Sequence, residues 1–459
     1  MRLDDADLRR AGDGLGLRSR VLAAVALLRA ETDGAFPTLV VHSESERLGW
    51  NEPADRAAAI AIALAQGTLC RRGLLDARIS SIARGGIEAI EPFMRQVLRV
   101  AAYEMIGPAH SAHYAAVHCA VEIVKRVRGR ARAGFVNAVL RGIARDAAPV
   151  DADEAAQHAL PVWLHARLET AWGTDAARAL ALWSLAEPAP TIRVNRGRAS
   201  PDDIAATFPG SAPSPWTPFC LRLPAGSGDL NAHAAVRDGI ASGQEEGAFL
   251  VTDAIPIARG DAFLDACAGR GNKTAAIAER APEGVRIEAA DVNARKLGQL
   301  AGEFRRLGLP QPVTRTVDWI AAGAGAEAGA PLVGAHKGRP YNVVLVDAPC
   351  TGTGTISRRP EIRWRIREDD VARLARVQDA LLAATAARVA PGGLLVYAVC
   401  SLLPDEGERR IAALLSARPD LHAEPIFPSP PWTRTGAGAV LLPHLSGTDG
   451  FFAAALRAA

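Results

Sequence analysis

From about Gly243 onward the chain changes its pattern in a way that leaves few folds open. Short apolar runs at residues 262–265, 285–291, 343–347 and 394–398 are bounded by Gly, Pro or Asp. Stretches with helical spacing, residues 273–280, 294–307 and 370–389, alternate with them. Strands alternating with helices predict a doubly wound, mostly parallel sheet. Right-handed crossovers bring the C-terminal ends of its strands to one edge, where such sheets bind ligands. Residues just after each apolar run are therefore the first place to look for chemistry. A third strand is expected at residues 312–317, and residues 450–456 (GFFAAAL) read as a last edge strand. The Gly/Ala-rich stretch 321–338 reads as an inserted surface loop.

The rest of the chain follows other rules. Up to about Arg145, helix succeeds helix, with apolar residues three and four apart at 19–29, 54–71, 91–105 and 115–128. Residues 191–195 and 219–223 predict short strands in a small mixed module. The expected organisation is an all-helical domain at 1–150, a small α/β connecting module at 155–240 and the α/β domain at 241–459, with 146–156 a polar linker.

Composition narrows the class. With 49% apolar and 22% charged residues the chain is globular, and no apolar run approaches the length of a membrane span. The first 20 residues have no apolar core, so no signal peptide is expected. Six Cys, none in a CxxC pair, fit neither a disulfide scaffold nor a zinc cluster, and a cytoplasmic setting without a metal follows. The net charge of +3 conceals a local excess: Lys125, Arg126, Arg128, Arg130, Arg132, Arg141 and Arg145 stand together with no acid among them. Such a run is either a solvated helix face or a phosphate-binding one.

Four segments carry chemistry. In Phe263–Thr274 (FLDACAGRGNKT) a strand runs into a Gly-containing turn and a helix, where backbone can approach a ligand closely. No GxxxxGK[ST] spacing is present, which disfavours an ATP-type loop. Asp291 closes the next strand about 20 residues later, where an acid accepts hydrogen bonds from ribose hydroxyls. Asp318 follows the third strand, as either a ligand for an adenine amino group or a surface acid. Val343–Gly354 (VVLVDAPCTGTG) delivers Asp347 and Cys350 to the ligand edge, and Leu394–Ser401 (LLVYAVCS) delivers Cys400. A single Cys is most simply a small core residue. Two, each just past an apolar strand end, point to a reactive pair. Only four of 53 basic residues are lysines, a bias of coding composition, and Lys273 is the one inside these motifs. After Cys350, Arg358, Arg359, Arg363 and Arg365 surround Trp364, a mixture of cations and a ring that suits single-stranded RNA or a buried Trp with surface arginines.

These segments resemble the RsmB/Nol1/Nop2/Sun family of RNA cytosine-5 methyltransferases, within it the RsmB (Sun/Fmu) branch. DACAGRGNKT is similar to the family's cofactor loop, LVDAPCTGTGTISRRPEIRW to its fourth motif and YAVCSLLPDEGE to its sixth. HYAAVHCAVEIVKRV and AGFVNAVLRGIAR resemble a NusB-like RNA-binding domain, and LPVWL with TIRVN the connecting module. The cofactor loop departs from the usual Ala-Ala-Pro-Gly-Gly-Lys-Thr at Gly269, Arg270 and Asn272. Val399 stands where Thr is common, and residues 244–247 read Gln-Glu-Glu-Gly rather than Gln-Asp-Ala-Ser.

The resemblance implies a Rossmann-like class I methyltransferase domain that uses S-adenosylmethionine. It assigns Cys267, Ala268, Gly269, Arg270, Gly271, Asn272, Lys273, Asp291, Asp318 and Asp347 to the cofactor. Cys400 becomes the thiol that attacks cytosine carbon 6, Cys350 assists product release, and Asp347 binds the cytosine edge. On the residues alone the Pro349-Cys350 pair leaves open attack from Cys350, the arrangement of DNA enzymes. The implied substrate is ribosomal RNA of the small subunit, held by Lys125, Arg126, Arg128, Arg130, Arg358, Arg359, Arg363 and Trp364, with the protein acting as a monomer. The alternatives are an RNA-binding assembly factor of the same fold with weakened catalysis, a DNA cytosine-5 methyltransferase, and an antitermination module that leaves both cysteines idle.

Overall fold

The computed structural model describes residues 4–14, 16–50, 56–107, 113–145, 150–224, 226–323 and 340–459. The expected inserted loop therefore lies almost wholly outside the described residues, as does the start of the expected linker. The rest of that linker is partly helical, Ala152–Gln157. The chain divides into two compact units, Met1–Ala186 with Arg359–Ile366, and Glu187–Arg358 with Arg367–Ala459.

The first unit is helical throughout its described part. Its core gathers the apolar faces of Leu17–Asp33, Ala57–Cys70, Pro92–Ile106, His113–Arg128 and Arg130–Arg145, including Val21, Leu22, Phe93, Leu98, Ile123 and Leu140. Among the described residues no single helix is long and apolar enough to cross a membrane.

The second unit holds two sheets. The smaller comprises β1 (Thr191–Val194), β2 (Ala212–Pro213), β3 (Cys220–Arg222) and β4 (Ala241–Gly243), in the order β2-β3-β1-β4 and antiparallel. Ile192, Val194 and Leu221 pack with Ile204 and Phe208 on one face of it. The larger sheet comprises β5 (Ala262–Asp265), β6 (Arg286–Asp291), β7 (Val313–Thr316), β8 (Tyr341–Asp347), β9 (Val389–Val399), β10 (Leu421–Ala423), β11 (Thr433–Thr435), β12 (Gly438–Leu441) and β13 (Phe451–Ala458). Strands run β7-β6-β5-β8-β9 in parallel, the doubly wound core that the alternation of strand and helix predicts.

The apolar runs are continuous because both faces of the sheet are covered. In β9, Leu395, Tyr397 and Val399 enter one core while Leu394, Val396 and Ala398 enter the other. The C-terminal strand departs from expectation. β13 is not an edge: it pairs antiparallel with β9 on one side and with β12 and β10 on the other. Its run of Phe and Ala, buried on both faces, fits an interior place. The sheet is accordingly mixed, with an antiparallel group beyond β9.

Candidate active site

Crossover topology brings Asp265, Asp291, Asp347 and Cys400 to the C-terminal ends of β5, β6, β8 and β9. The loop after β5 is tied down by its backbone. Ala266 N–H donates to Leu345 O (2.8 Å), Ala268 N–H to Ala290 O (2.9 Å) and Gly271 N–H to Ala268 O (2.8 Å). Gly269 N–H donates to the Asp291 carboxylate at 2.8 Å, and Asn293 N–H donates to its other oxygen at 2.8 Å. Gly269 and Gly271 have φ of +55° and +86°. A Cβ at Gly271 would lie 2.5 Å from Leu300 Cγ, so both conformation and space require Gly there. Arg270 and Asn272, which depart from the familiar loop, carry neither demand: both are exposed, and Asn272 begins the helix Asn272–Ala278. Arg193 supports this helix start, donating to Asn272 O (3.1 Å) while paired with Glu279 (2.7 Å).

Two exposed apolar side chains flank the acids at this edge. Val292 directly follows Asp291 and is 66% exposed, and Ile320 follows Asp318 at 42%. Sequence reading passed over both, although an apolar residue just after a strand-end acid is a readable signal for a ring-binding face. Asp318 is exposed and accepts from Ile320 N–H (3.0 Å) and Ala321 N–H (3.1 Å), the start of the helix Trp319–Gly323. A backbone-lined Gly turn, an acid at the end of β6 and exposed apolar groups form a set that fits a nucleoside-bearing cofactor.

Lys273 and Asp347 form an ion pair at 2.7 Å, with Lys273 Nζ 5.3 Å from the centre of the Phe451 ring. Burial pulls the Lys273 ammonium down, but Asp347 first, then Cys400 and Asp265, together outweigh it and the group ends above its ordinary value. Asp265 lies behind this pair, fully enclosed, accepting from the Thr274 hydroxyl at 2.7 Å. Burial, with help from Asp347 and against the Thr274 hydrogen bond, pushes its carboxyl from 3.8 up to about 7. The folded chain thus keeps a proton that the unfolded chain releases, so this group's contribution is full below pH ~4 and falls as pH rises to about 7. The variant Asp265→Asn is expected to lack that loss. Denaturant melts at pH 5 and pH 8 should show wild type losing ground to the variant at the higher pH; a constant difference would contradict this.

The two cysteines meet. Cys350 Sγ and Cys400 Sγ are 3.4 Å apart, both free thiols. Gly354 N–H donates to Cys400 O (3.0 Å), and Gly450 N–H to Gly354 O (2.7 Å), so the loop after β8 is clamped between β9 and β13. The hydrogen bond with Cys400, and then burial, hold the Cys350 thiol well above its ordinary value.

The residues expected to hold RNA are spread out. Lys125 and Arg126 pair with Glu122 at 3.1 and 2.8 Å, and Arg128 pairs with Glu91 at 3.1 Å. Two acids, Glu122 just outside the basic run and Glu91 distant in sequence, therefore pair with three of its cations and offset two of its charges. Arg130, Arg132, Arg141 and Arg145 are exposed on or beside the following helix. Arg358 bonds Asp449 (3.3 Å) and Ala189 O (3.3 Å), while Arg359 is exposed over the Phe36 ring.

Arg363 and Trp364 depart from the expected RNA-facing role. Arg363 is 0% exposed, its guanidinium donating to Cys70 O (3.1 Å), Ala159 O (2.8 Å), Ser184 Oγ (3.2 Å) and Ser184 O (2.7 Å). Trp364 Nε1 donates to Leu69 O at 2.7 Å, and Arg72 covers its ring. Burial among carbonyls makes both packing residues of the helical unit. Arg363→Ala should cost at least about 3 kcal/mol in stability, since it leaves several buried acceptors unpaired. Urea unfolding checks this; an unchanged midpoint with weakened RNA binding would restore the RNA role.

Comparison with known proteins places these observations in context. The family described as 16S rRNA methyltransferase RsmB/F matches residues 254–457, and the NusB family matches residues 17–145. Ribosomal RNA small subunit methyltransferase B of Thermus thermophilus is 33% identical over 95% of this chain and 97% of its own length. The Xanthomonas campestris protein of the same name is 32% identical over 95% of each chain. Among solved structures, PH0851 superposes with a TM-score of 0.74 over 99% of both chains at 22% identity, a likeness of fold. NSun6 from Pyrococcus horikoshii, solved with SFG, has a TM-score of 0.55 over 65% of this chain and 98% of its own at 19% identity.

Proposed function

Since this chain belongs to the 16S rRNA methyltransferase RsmB/F family, we propose that it methylates carbon 5 of a cytosine in small-subunit ribosomal RNA through a covalent adduct on Cys400. The observation that carries this reading is the pair of free thiols 3.4 Å apart at the ligand edge of the sheet. Cytosine carbon 5 is a weak nucleophile until a thiolate adds to carbon 6. The Cys400 thiolate forms the S–C6 bond, and the C5–C6 π electrons move into the ring. Asp347, held as a carboxylate by Lys273, would accept a hydrogen bond from the exocyclic amine and so hold the ring in place for attack. Bound S-adenosylmethionine supplies the methyl group that carbon 5 takes up. The C5 proton passes to water with assistance from Cys350, and the electrons of the broken C5–H bond re-form the C5–C6 double bond as the Cys400 thiolate leaves.

The hydrogen bond between the two sulfurs can run either way; what makes Cys400 the attacking group in this reading is its place in the sixth motif of the family. The Gly269–Gly271 turn, Asp291, Val292, Asp318 and Ile320 would hold the nucleoside part of S-adenosylmethionine, and Lys273 keeps Asp347 in place. NSun6, of the same fold, was solved with SFG, an analogue of S-adenosylmethionine. RNA contact falls to the helical unit, with Arg130 and its exposed neighbours Arg132, Arg141 and Arg145 supplying charge free for phosphates.

Incubating the protein with a 16S rRNA transcript and methyl-labelled S-adenosylmethionine, then digesting the RNA to nucleosides, tests the reading. Label in 5-methylcytidine is expected. Label in any other nucleoside overturns the cytosine-5 assignment.

A further inference from the structure

Glu406 lies in the turn that follows β9, and its carboxylate is completely buried. It accepts from Thr351 N–H (2.9 Å), the Thr351 hydroxyl, the Ser401 hydroxyl (2.6 Å) and the Gln378 amide (3.2 Å). Thr351 directly follows Cys350, and Ser401 directly follows Cys400. One carboxylate thus bridges the residues next to both thiols. Gln378 extends the bridge by donating also to Pro349 O at 2.9 Å, on the other side of Cys350. Glu406 is itself fixed: its carbonyl accepts from Tyr397 OH (2.6 Å), and its N–H donates to Leu403 O (3.0 Å).

Its neighbours here are neutral donors, and burial raises the Glu406 carboxyl against their hydrogen bonds. A buried carboxylate among neutral groups is an expensive way to fill a core, since desolvation is only partly offset. A neutral side chain would pack at lower cost. What the carboxylate adds is two acceptor oxygens that serve two loops at once, each oxygen taking a strong, directional hydrogen bond.

We propose that Glu406 is a positioning residue, which locks the Cys350 and Cys400 loops in register so that the Cys400 sulfur meets carbon 6 of the base while the Cys350 sulfur lies beside carbon 5. The proposal rests on the covalent reading above. Displacing a reacting group by about 1 Å costs on the order of 100-fold in rate. Glu406→Gln keeps the volume but replaces one acceptor oxygen by a donor, so it should lower kcat about 10- to 100-fold. KM for a 16S rRNA transcript and the affinity for S-adenosylmethionine should stay within about two-fold, because neither binding surface includes Glu406.

The deciding experiment follows covalent adduct formation on denaturing gels in a Cys350→Ala background, with and without Glu406→Gln, using the 16S rRNA transcript. Adduct that forms about 10-fold or more slowly with Glu406→Gln is the expected result. Equal rates overturn the positioning role while leaving the covalent reading intact. No adduct in either protein overturns the covalent reading itself. Should Glu406→Gln fail to fold, Ser401→Ala replaces it, removing one hydroxyl link to the Cys400 loop. Slower adduct formation then supports the proposal, and an unchanged rate overturns it.

Discussion

Cys400→Ala should abolish methyl transfer and covalent adduct together, while Cys350→Ala should accumulate an adduct that does not resolve. The sulfurs are in contact, so position alone does not assign their roles. Chemistry does. Removing the group that adds to carbon 6 leaves carbon 5 without its activated form, and loss of a covalent nucleophile commonly costs at least about 10,000-fold. Removing the partner that assists elimination leaves addition possible and release slow, so protein stays attached to RNA. A denaturing gel separates the outcomes: a retarded band with Cys350→Ala and none with Cys400→Ala. The reverse pattern would make Cys350 the nucleophile, the arrangement that the Pro349-Cys350 pair left open.

The second large effect is expected at Asp347. Its carboxylate stands at the C-terminal end of β8 and pairs with Lys273 at 2.7 Å. Asp347→Asn removes the main partner that lifts the Lys273 ammonium against the pull of burial. Because Lys273 titrates above its ordinary 10.5 in the folded chain, the pair contributes fully below that value and fades only as pH climbs beyond it. At neutral pH the Asn variant therefore loses the whole contribution. Combined with the lost hold on the cytosine edge, single-turnover methyl transfer should fall about 100- to 1,000-fold. A drop of less than about two-fold would remove Asp347 from the reaction.

How much of this was legible beforehand divides along a physical line. Properties set by a few consecutive residues were readable. The apolar runs marked β5, β6, β8 and β9, the third strand emerged as β7, and the helix Ala294–Leu307 fell where its spacing placed it. Cys350 and Cys400 were identified because each terminates such a run. Properties set by distant partners were not readable. Arg363 looked like an RNA contact until Cys70, Ala159 and Ser184 closed around it. Arg128 looked free until Glu91 was found beside it. The GFFAAAL run announced a strand but not its neighbours, and β13 proved interior because β10 and β12 cover its outer side. Glu406 sat inside a quoted motif without a role, since the bridge from Thr351 to Ser401 exists only once β8 and β9 lie side by side.

The central claim is that Cys400 serves cytosine-5 methylation of small-subunit rRNA, and it meets its most direct test in the cell. Bisulfite sequencing of 16S rRNA would compare a strain lacking this protein with the same strain carrying wild type or Cys400→Ala. The account predicts loss of one methylcytosine in the deletion strain, restored by wild type and not by Cys400→Ala. Full methylation of 16S rRNA in the deletion strain, or restoration by Cys400→Ala, would contradict it.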